Sequence, residues 1–212
     1  MGITLLEWIA TRWNELVIAL KGKQLAVLGA RGAGKTCLIK FLLTGSLPAE
    51  YKQTVAPEKV AARRFQLKDL DLKIKAILDI SGDKAAYAEW REQVNQAHVV
   101  TYLLRADRLL AGDPQVVARV RDDLRHIGEW LQARVPRPRL YLIGTHCDLD
   151  SDYAASIERP GDYMDRFRAL PIVNDLVAYG GGTQNVKVIL GSMKSIEGTE
   201  ALAHQLFMQV LS

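Results

Sequence analysis

The sequence predicts an α/β fold with a mostly parallel sheet that is covered by helices on both faces. Short apolar runs rich in Leu, Val and Ile alternate along the chain with longer segments that have the spacing of amphipathic helices. Such alternation is typical of βαβ units, in which ligands bind at the carboxyl ends of the strands. A glycine-rich segment directly follows the first of these runs, so this is where we expect a ligand to bind.

Length and composition bound the class of protein. The chain has 212 residues, of which 49% are hydrophobic and 25% charged, as expected for one globular domain with a substantial core. The net charge of +4 is spread along the chain, which argues against a nucleic-acid partner. We find no apolar run of membrane-spanning length and no signal-peptide pattern, so a cytoplasmic location is expected. Cys37 and Cys147 lack metal-site spacing and are expected to be buried free thiols.

Secondary structure is predicted from periodicity and turn signals. The predicted strands lie at 24–28, 59–67, 72–80, 98–104, 139–143 and 186–190, which gives a six-stranded sheet. The predicted helices of the main domain lie at 36–43, 114–133 and 199–211. The second and third strands should pair as a hairpin, because a polar turn joins them. The segment 149–185 is rich in Pro and Gly and longer than an ordinary connection, which indicates an irregular insertion that either contacts a partner or is a loosely ordered loop.

A separate amphipathic helix is predicted for residues 3–20, which divides the chain into residues 1–22 and a main domain at 23–212. Its apolar residues gather on one side of a helix with 3.6 residues per turn. Trp8 and Trp13 suit a membrane interface, whereas Glu7 and Glu15 dilute the basic face that such helices prefer. Two alternatives therefore stay open: weak contact with a membrane surface, or packing on this domain or on a partner protein.

Residues 29–36 have the sequence GARGAGKT and match the phosphate-loop pattern G-x-x-x-x-G-K-[ST]. They lie between a predicted strand and a predicted helix, as that pattern requires. The glycines let backbone N–H groups surround phosphate oxygens, and the helix N-terminus adds its dipole. Lys35 would supply charge to the terminal phosphates, and the Thr36 hydroxyl would bind Mg²⁺. The loop predicts a nucleotide site without distinguishing ATP from GTP.

From Gly29 onward the chain resembles the Ras-like small GTPases, over about residues 23–211 apart from the segment after Leu149. Residues 50–55, EYKQTV, resemble the switch I segment of that family, and Thr54 follows Thr36 by 18 residues, the family's own spacing. Residues 79–82, DISG, resemble the D-x-x-G of switch II. The resemblance implies a P-loop GTPase fold with Mg²⁺ ligands Thr36, Thr54 and Asp79, and a catalytic set of Lys35, Thr54 and Gly82.

Two later segments resemble the parts of the family that recognise guanine. Residues 145–148, THCD, stand where the family has [NT]-K-x-D, and residues 192–194, SMK, resemble its S-A-K element. The Asp148 carboxylate can accept hydrogen bonds from the ring N–H and the amine of guanine, a donor pair that adenine lacks, so GTP is favoured over ATP. His146 replaces the usual lysine, as in the similar Roc-type domains, and its imidazole can stack on a purine.

Three residues depart from the family pattern. Asp83 stands where a glutamine normally orients the attacking water, so slow hydrolysis is expected. Arg31 occupies the third loop position, where Ras proteins have glycine, and is either solvated or close to phosphate. Leu47 replaces the aromatic residue that covers guanine. The nucleotide-contacting residues implied by the resemblance are Gly29, Arg31, Gly32, Ala33, Gly34, Lys35, Thr36, Cys37, Leu47, Thr145, His146, Asp148, Ser192, Met193 and Lys194.

The resemblance implies a molecular switch that binds GTP or GDP with Mg²⁺, hydrolyses GTP slowly and controls effector and regulatory proteins. Two alternatives stay open. Asp83, Arg31 and Leu47 also suit a non-hydrolysing guanine-binding scaffold in a protein assembly. An ATP-using P-loop enzyme would need to bind adenine despite Asp148.

Overall fold

The computed structural model describes residues 24–44, 47, 58–59, 78–79, 86–155 and 160–211. The predicted helix at 3–20 and most of the predicted hairpin at 59–80 lie outside the described residues. Within the described part, strands and helices alternate and give the predicted α/β fold. None of the helices described there has both the length and the apolar composition needed to cross a bilayer.

The described strands are β1 (Leu25–Gly29), β2 (Glu58–Lys59), β3 (Leu78–Asp79), β4 (Val99–Arg105), β5 (Arg139–Thr145) and β6 (Val186–Leu190). Four of them form a parallel sheet in the order β1-β4-β5-β6. β2 and β3 pair with each other in antiparallel register, which agrees with the ends of the predicted hairpin. Among the described residues this pair is separate from the parallel sheet, so the described sheet has four strands and not the predicted six.

The described helices are α1 (Lys35–Thr44), α2 (Tyr87–Gln96), α3 (Ala106–Leu110), α4 (Pro114–Gln132), α5 (Ser151–Ala155), α6 (Pro160–Arg168), α7 (Pro171–Tyr179) and α8 (Ile196–Leu211). The predicted helices at 36–43, 114–133 and 199–211 correspond to α1, α4 and α8. Sequence periodicity did not identify the short helices α2 and α3.

The segment 149–185, which was predicted to be an irregular insertion, is largely helical because it contains α5, α6 and α7. Pro160 and Pro171 are the first residues of α6 and α7, where the fixed φ of proline suits a helix start. The glycine run at 180–182 follows the end of α7, and Gly181 and Gly182 have φ of 96° and 90°. The prolines and glycines of this segment therefore mark helix ends and not an irregular loop.

Helices cover both faces of the sheet, as predicted. Neighbouring strand residues point to opposite faces, so Val27, Leu103 and Tyr141 join one apolar cluster while Leu28, Tyr102 and Leu142 join the other. The first cluster lies under α1 and α8, and the second lies under α2, α4, α6 and α7. The carboxyl ends of the strands are thereby fixed between two packed layers.

A buried carboxylate joins three elements on the second face. Asp123 of α4 has no exposed surface and accepts hydrogen bonds from Tyr87 Oη at 2.5 Å, Tyr102 Oη at 2.7 Å and Arg119 Nε at 2.7 Å. Burial, and then the charge of Asp123, raise the pKa of Tyr102 well above its ordinary value. Tyr102 therefore stays protonated and continues to donate its hydrogen bond. The network connects α2, β4 and α4.

Asp123→Ala should lower the free energy of unfolding by about 3–5 kcal/mol, because the Arg119 charge and two hydroxyls would lose their buried partner. The measurement is urea-induced unfolding followed by circular dichroism. Glu129→Ala, an exposed change on the same helix, is the matched control and should leave the midpoint nearly unchanged. A loss equal to that of the control would contradict the importance of the network.

Candidate functional site

The phosphate-loop residues lie at the carboxyl end of β1 and lead directly into α1. Ala33 N–H donates to Ala30 O at 3.2 Å across the loop, and Leu38 N–H donates to Gly34 O at 3.0 Å where the helix begins. Gly32 and Gly34 have φ of 75° and 92°, a left-handed backbone that side chains disfavour. The glycines of the motif are therefore required by the backbone path of the loop.

Met193 packs directly on this loop. A Cβ atom at Gly34 would lie 2.2 Å from Met193 Cε, so a larger residue there would displace the end of the methionine side chain. Met193 is partly buried and packs against the apolar cluster under α1 and α8. The segment predicted to recognise the base and the segment predicted to bind phosphate are thus in contact.

Lys35 is 7% exposed and folds back along the loop. Its Nζ donates to Gly29 O at 3.0 Å and to Ala30 O at 3.2 Å. The ammonium group is therefore held beside the backbone of the loop by neutral carbonyl groups. Thr36 and Cys37 follow in the first turn of α1, and both are partly exposed.

Thr145 joins the loop to the ends of two strands. It is fully buried at the end of β5, and its Oγ1 lies 3.0 Å from Ala33 O, 3.0 Å from Leu104 O and 2.8 Å from His146 Nδ1. A hydroxyl has one proton to donate and the two carbonyls can only accept. The contact with His146 is therefore best made by a proton on Nδ1 of the ring, donated to Oγ1.

His146 has a left-handed backbone, with φ of 59° and ψ of 27°, and begins the 3₁₀ turn Cys147–Leu149. Partial burial, and then the nearby Arg105 charge, hold the pKa of His146 below its ordinary value. The ring is therefore neutral at pH 7. A neutral, half-buried imidazole differs from the lysine of the related motif in charge but keeps a flat surface for stacking.

Asp148 is exposed and held in place by the second predicted base segment. Ser192 Oγ donates to Asp148 Oδ1 at 2.5 Å, and Lys194 N–H donates to Ser192 Oγ at 3.1 Å. Two backbone hydrogen bonds join the same segments: Cys147 N–H to Gly191 O at 3.3 Å and Gly191 N–H to Gly144 O at 3.0 Å. The carboxylate is thereby oriented at the strand end while remaining accessible to a ligand.

Several predicted site residues are placed only in part. Thr54, Gly82 and Asp83 lie outside the described residues, and for Asp79 the structure describes only the backbone, which pairs with Glu58 at the end of β3. Of the three predicted Mg²⁺ ligands, only Thr36 has a described side chain, which is partly exposed in the first turn of α1. Among the described His, Cys, Asp and Glu residues, no group of three is close enough to hold a metal ion.

Leu47 and Arg31 were singled out as departures from the family pattern. Leu47 is partly buried and packs against the apolar cluster under α1 and α8. Arg31 is exposed and lines a cavity beside the loop together with Arg105, Arg108 and Arg119. The last three arginines were not predicted from the sequence. The signal available for two of them was an Arg-x-x-Arg spacing directly after a strand end, at 105 and 108.

No protein-family model matches this chain, and no curated protein is similar to it at a significant level. The fold and the site define an α/β protein whose parallel strands end at a phosphate-loop sequence, a buried lysine and an exposed carboxylate. Function therefore has to be inferred from the chemistry of these groups.

Cys147 is fully buried inside the base segment, and neither cysteine forms a disulfide. The expectation of burial is confirmed for Cys147, whereas Cys37 is partly exposed. The Cys147 thiol donates to Gly144 O at 3.6 Å. Burial raises the pKa of Cys147 from 9.0 to about 12.

The Cys147 thiol should therefore be almost inert in the folded protein. A pKa increase from 9.0 to about 12 lowers the thiolate fraction roughly a thousandfold at pH 8. The test measures alkylation of Cys37→Ala, which retains Cys147 alone, with and without denaturant. Because the pKa is raised in the folded state, this thiol stabilises the fold below pH 9 and the stabilisation decreases as the pH rises towards 12. Rapid alkylation of the folded variant at pH 8 would show that the strand end opens.

Proposed function

We propose that this chain is a guanine-nucleotide-binding switch that binds GTP and GDP with Mg²⁺ and hydrolyses GTP slowly. The observation that supports the proposal best is the joining of two predicted segments at one edge of the sheet. Thr145 hydrogen-bonds to the phosphate loop through Ala33 O, and Asp148 follows Thr145 by three residues. Lys35, proposed to bind phosphate, and Asp148, proposed to bind the base, therefore lie on two segments that are joined by a hydrogen bond.

The carboxylate of Asp148 supports guanine as the base. Guanine offers a ring N–H and an exocyclic amine side by side, and a carboxylate accepts a hydrogen bond from each. Ser192 fixes the carboxylate from the protein side, so the group is oriented before the ligand arrives. Adenine lacks this donor pair and would leave a charged acceptor poorly satisfied.

The phosphate loop supports a nucleotide with several phosphates. On binding, the Lys35 ammonium would exchange its carbonyl partners for phosphate oxygens, a stronger pairing of opposite charges. Mg²⁺, held by Thr36, Thr54 and Asp79, would neutralise charge on the terminal phosphates when bound. We also propose that β2 and β3 extend the parallel sheet to the six strands of the P-loop GTPase fold.

The switch segments provide the proposed link to partners. Thr54 and Gly82 would contact the γ-phosphate, so hydrolysis would release both segments and change the surface offered to effector and regulatory proteins. We place the protein in the cytoplasm, with residues 3–20 as the segment for contact with a membrane surface or a partner.

The first experiment identifies the nucleotide. Protein purified without added nucleotide is denatured and the released base identified by chromatography, with GDP as the expected product. Nucleotide-free protein is then titrated with GDP or ADP in buffer that contains Mg²⁺, and binding is measured by isothermal titration calorimetry. The Kd for GDP should be at least about 100-fold lower than the Kd for ADP. Equal affinities for GDP and ADP would contradict the guanine assignment and favour an ATP-using enzyme.

A substitution of Asp148 tests the proposed hydrogen bonds between its carboxylate and the base. Asp148→Asn replaces two acceptors by one acceptor and one donor, a pattern that suits xanthine, which has a carbonyl where guanine has its amine. The variant should lose about 100-fold in GDP affinity and gain affinity for xanthosine diphosphate. Asp175→Asn, an exposed carboxylate on α7, is the control and should bind GDP normally.

Hydrolysis is tested by phosphate release from GTP under single-turnover conditions. The expected rate constant without a partner is on the order of 10⁻⁴ s⁻¹, because Asp83 is a poor substitute for a water-orienting glutamine. Asp83→Gln should raise the rate, and Lys35→Ala should abolish it. If wild-type protein binds GTP but releases no phosphate above the buffer rate, the non-hydrolysing scaffold becomes the better description.

A further inference from the structure

A cavity of about 360 Å³ lies between the phosphate loop, the end of β4, α3 and the first two turns of α4. Its described lining contains four arginines and no acidic residue: Arg31 from the loop, Arg105 at the strand end, Arg108 in α3 and Arg119 in α4. The loop contributes residues 30–33, but the phosphate-binding Lys35 is not part of the lining. The cavity thus shares Arg31, Gly32 and Ala33 with the proposed nucleotide site but does not include Lys35, Thr36 or the two base segments.

Two of these arginines are held by carboxylates outside the lining. Arg105 donates to both oxygens of Asp107, through Nε at 2.8 Å and Nη2 at 2.5 Å. Arg119 donates through Nε to Asp123 at 2.7 Å. Fixed guanidinium groups lose little side-chain entropy when they bind an anion. One wall of the cavity is therefore preorganised.

The other two arginines contribute more of their charge to the cavity. Arg108 is 57% exposed in its side chain, and its contact with Asp113 is long, at 3.8 Å. Arg31 is exposed and makes no ion pair within the described residues. Among the described residues, three carboxylates, those of Asp107, Asp113 and Asp123, contact three of the four arginines, so an excess of positive charge remains there.

Arg119 lies between the Asp123 network and two aromatic rings. Its guanidinium carbon is 5.7 Å from the centre of the Tyr87 ring and 5.9 Å from the centre of the Trp90 ring. Its side chain is 20% exposed, and Nη2 is buried with no hydrogen-bond partner among the described residues. These contacts hold the guanidinium group in one orientation, so its positive charge stays fixed beside the cavity.

We infer that this cavity is a binding site for a phosphate-class oxyanion, next to the proposed position of the nucleotide phosphates. Guanidinium groups arranged around a small cavity match the tetrahedral oxygens of phosphate, each of which can accept from more than one N–H. The anion is either free inorganic phosphate or the phosphoryl group of a nucleotide bound in the adjacent loop. The structure favours the free anion, because the cavity has its own cations and lacks the lysine of the loop.

The test uses inorganic phosphate as the probe and a ³¹P NMR titration as the measurement. Wild-type protein, stripped of nucleotide, should show saturable binding that persists when the protein is saturated with GDP and Mg²⁺. Arg31→Gln/Arg108→Gln should bind phosphate about tenfold or more weakly, because two charge-assisted donors are lost. Neither residue belongs to the Asp123 network, so both changes should leave the fold intact.

The matched control is Arg121→Gln/Arg125→Gln, which removes the same charge from exposed positions of α4 away from the cavity. It should bind phosphate like the wild type. Lys35→Ala should also retain phosphate binding, since Lys35 does not line the cavity.

Three results would overturn the inference. Equal losses in the cavity variant and the control would show a general charge effect. Displacement of phosphate by GDP, or loss of phosphate binding in Lys35→Ala, would place the anion in the nucleotide loop. Unchanged binding in Arg31→Gln/Arg108→Gln would show that the cavity is not the site. None of these results depends on whether the protein prefers guanine, so failure of the proposed function stays distinguishable.

Discussion

The proposed site depends on the hydrogen bonds of the Thr145 hydroxyl group. It lies at the end of β5, within hydrogen-bond distance of the phosphate loop through Ala33 O and of β4 through Leu104 O. The register of the parallel strands fixes where this residue stands, because β5 is paired along its whole length with β4. The positions of His146 and Asp148 relative to the loop depend on this buried residue together with the hydrogen bonds made by Gly191 and Ser192.

Much of the central sheet and the phosphate loop was predictable because each has a strong local signal. The runs around Val27, Tyr102, Leu142 and Val188 are apolar enough to indicate buried strands, and the glycine spacing of the loop has a backbone reason. Asp148 was singled out from the sequence because residues 145–148 follow a predicted strand and resemble a base-recognition motif. These features are determined by residues that are close together in the sequence.

The parts that sequence analysis missed depend on partners distant in the chain. The contact of Met193 with Gly34 joins residues 159 positions apart, and no local sequence pattern near either residue predicts it. The cavity arginines come from four separate elements and become a group only after folding. The segment 149–185 was misjudged for a different reason, because proline was taken as a break when it marked a helix start.

The Asp123 carboxylate contributes both to the apolar core and to the arginine-lined cavity. On the core side it holds Tyr87 and Tyr102, and through Arg119 it also sets one wall of the arginine-lined cavity. Folding and the proposed anion site therefore depend on the same residue. A substitution at Asp123 should cost folded protein as well as anion affinity, whereas Arg31 and Arg108 lie outside the Asp123 network and can be changed without that cost.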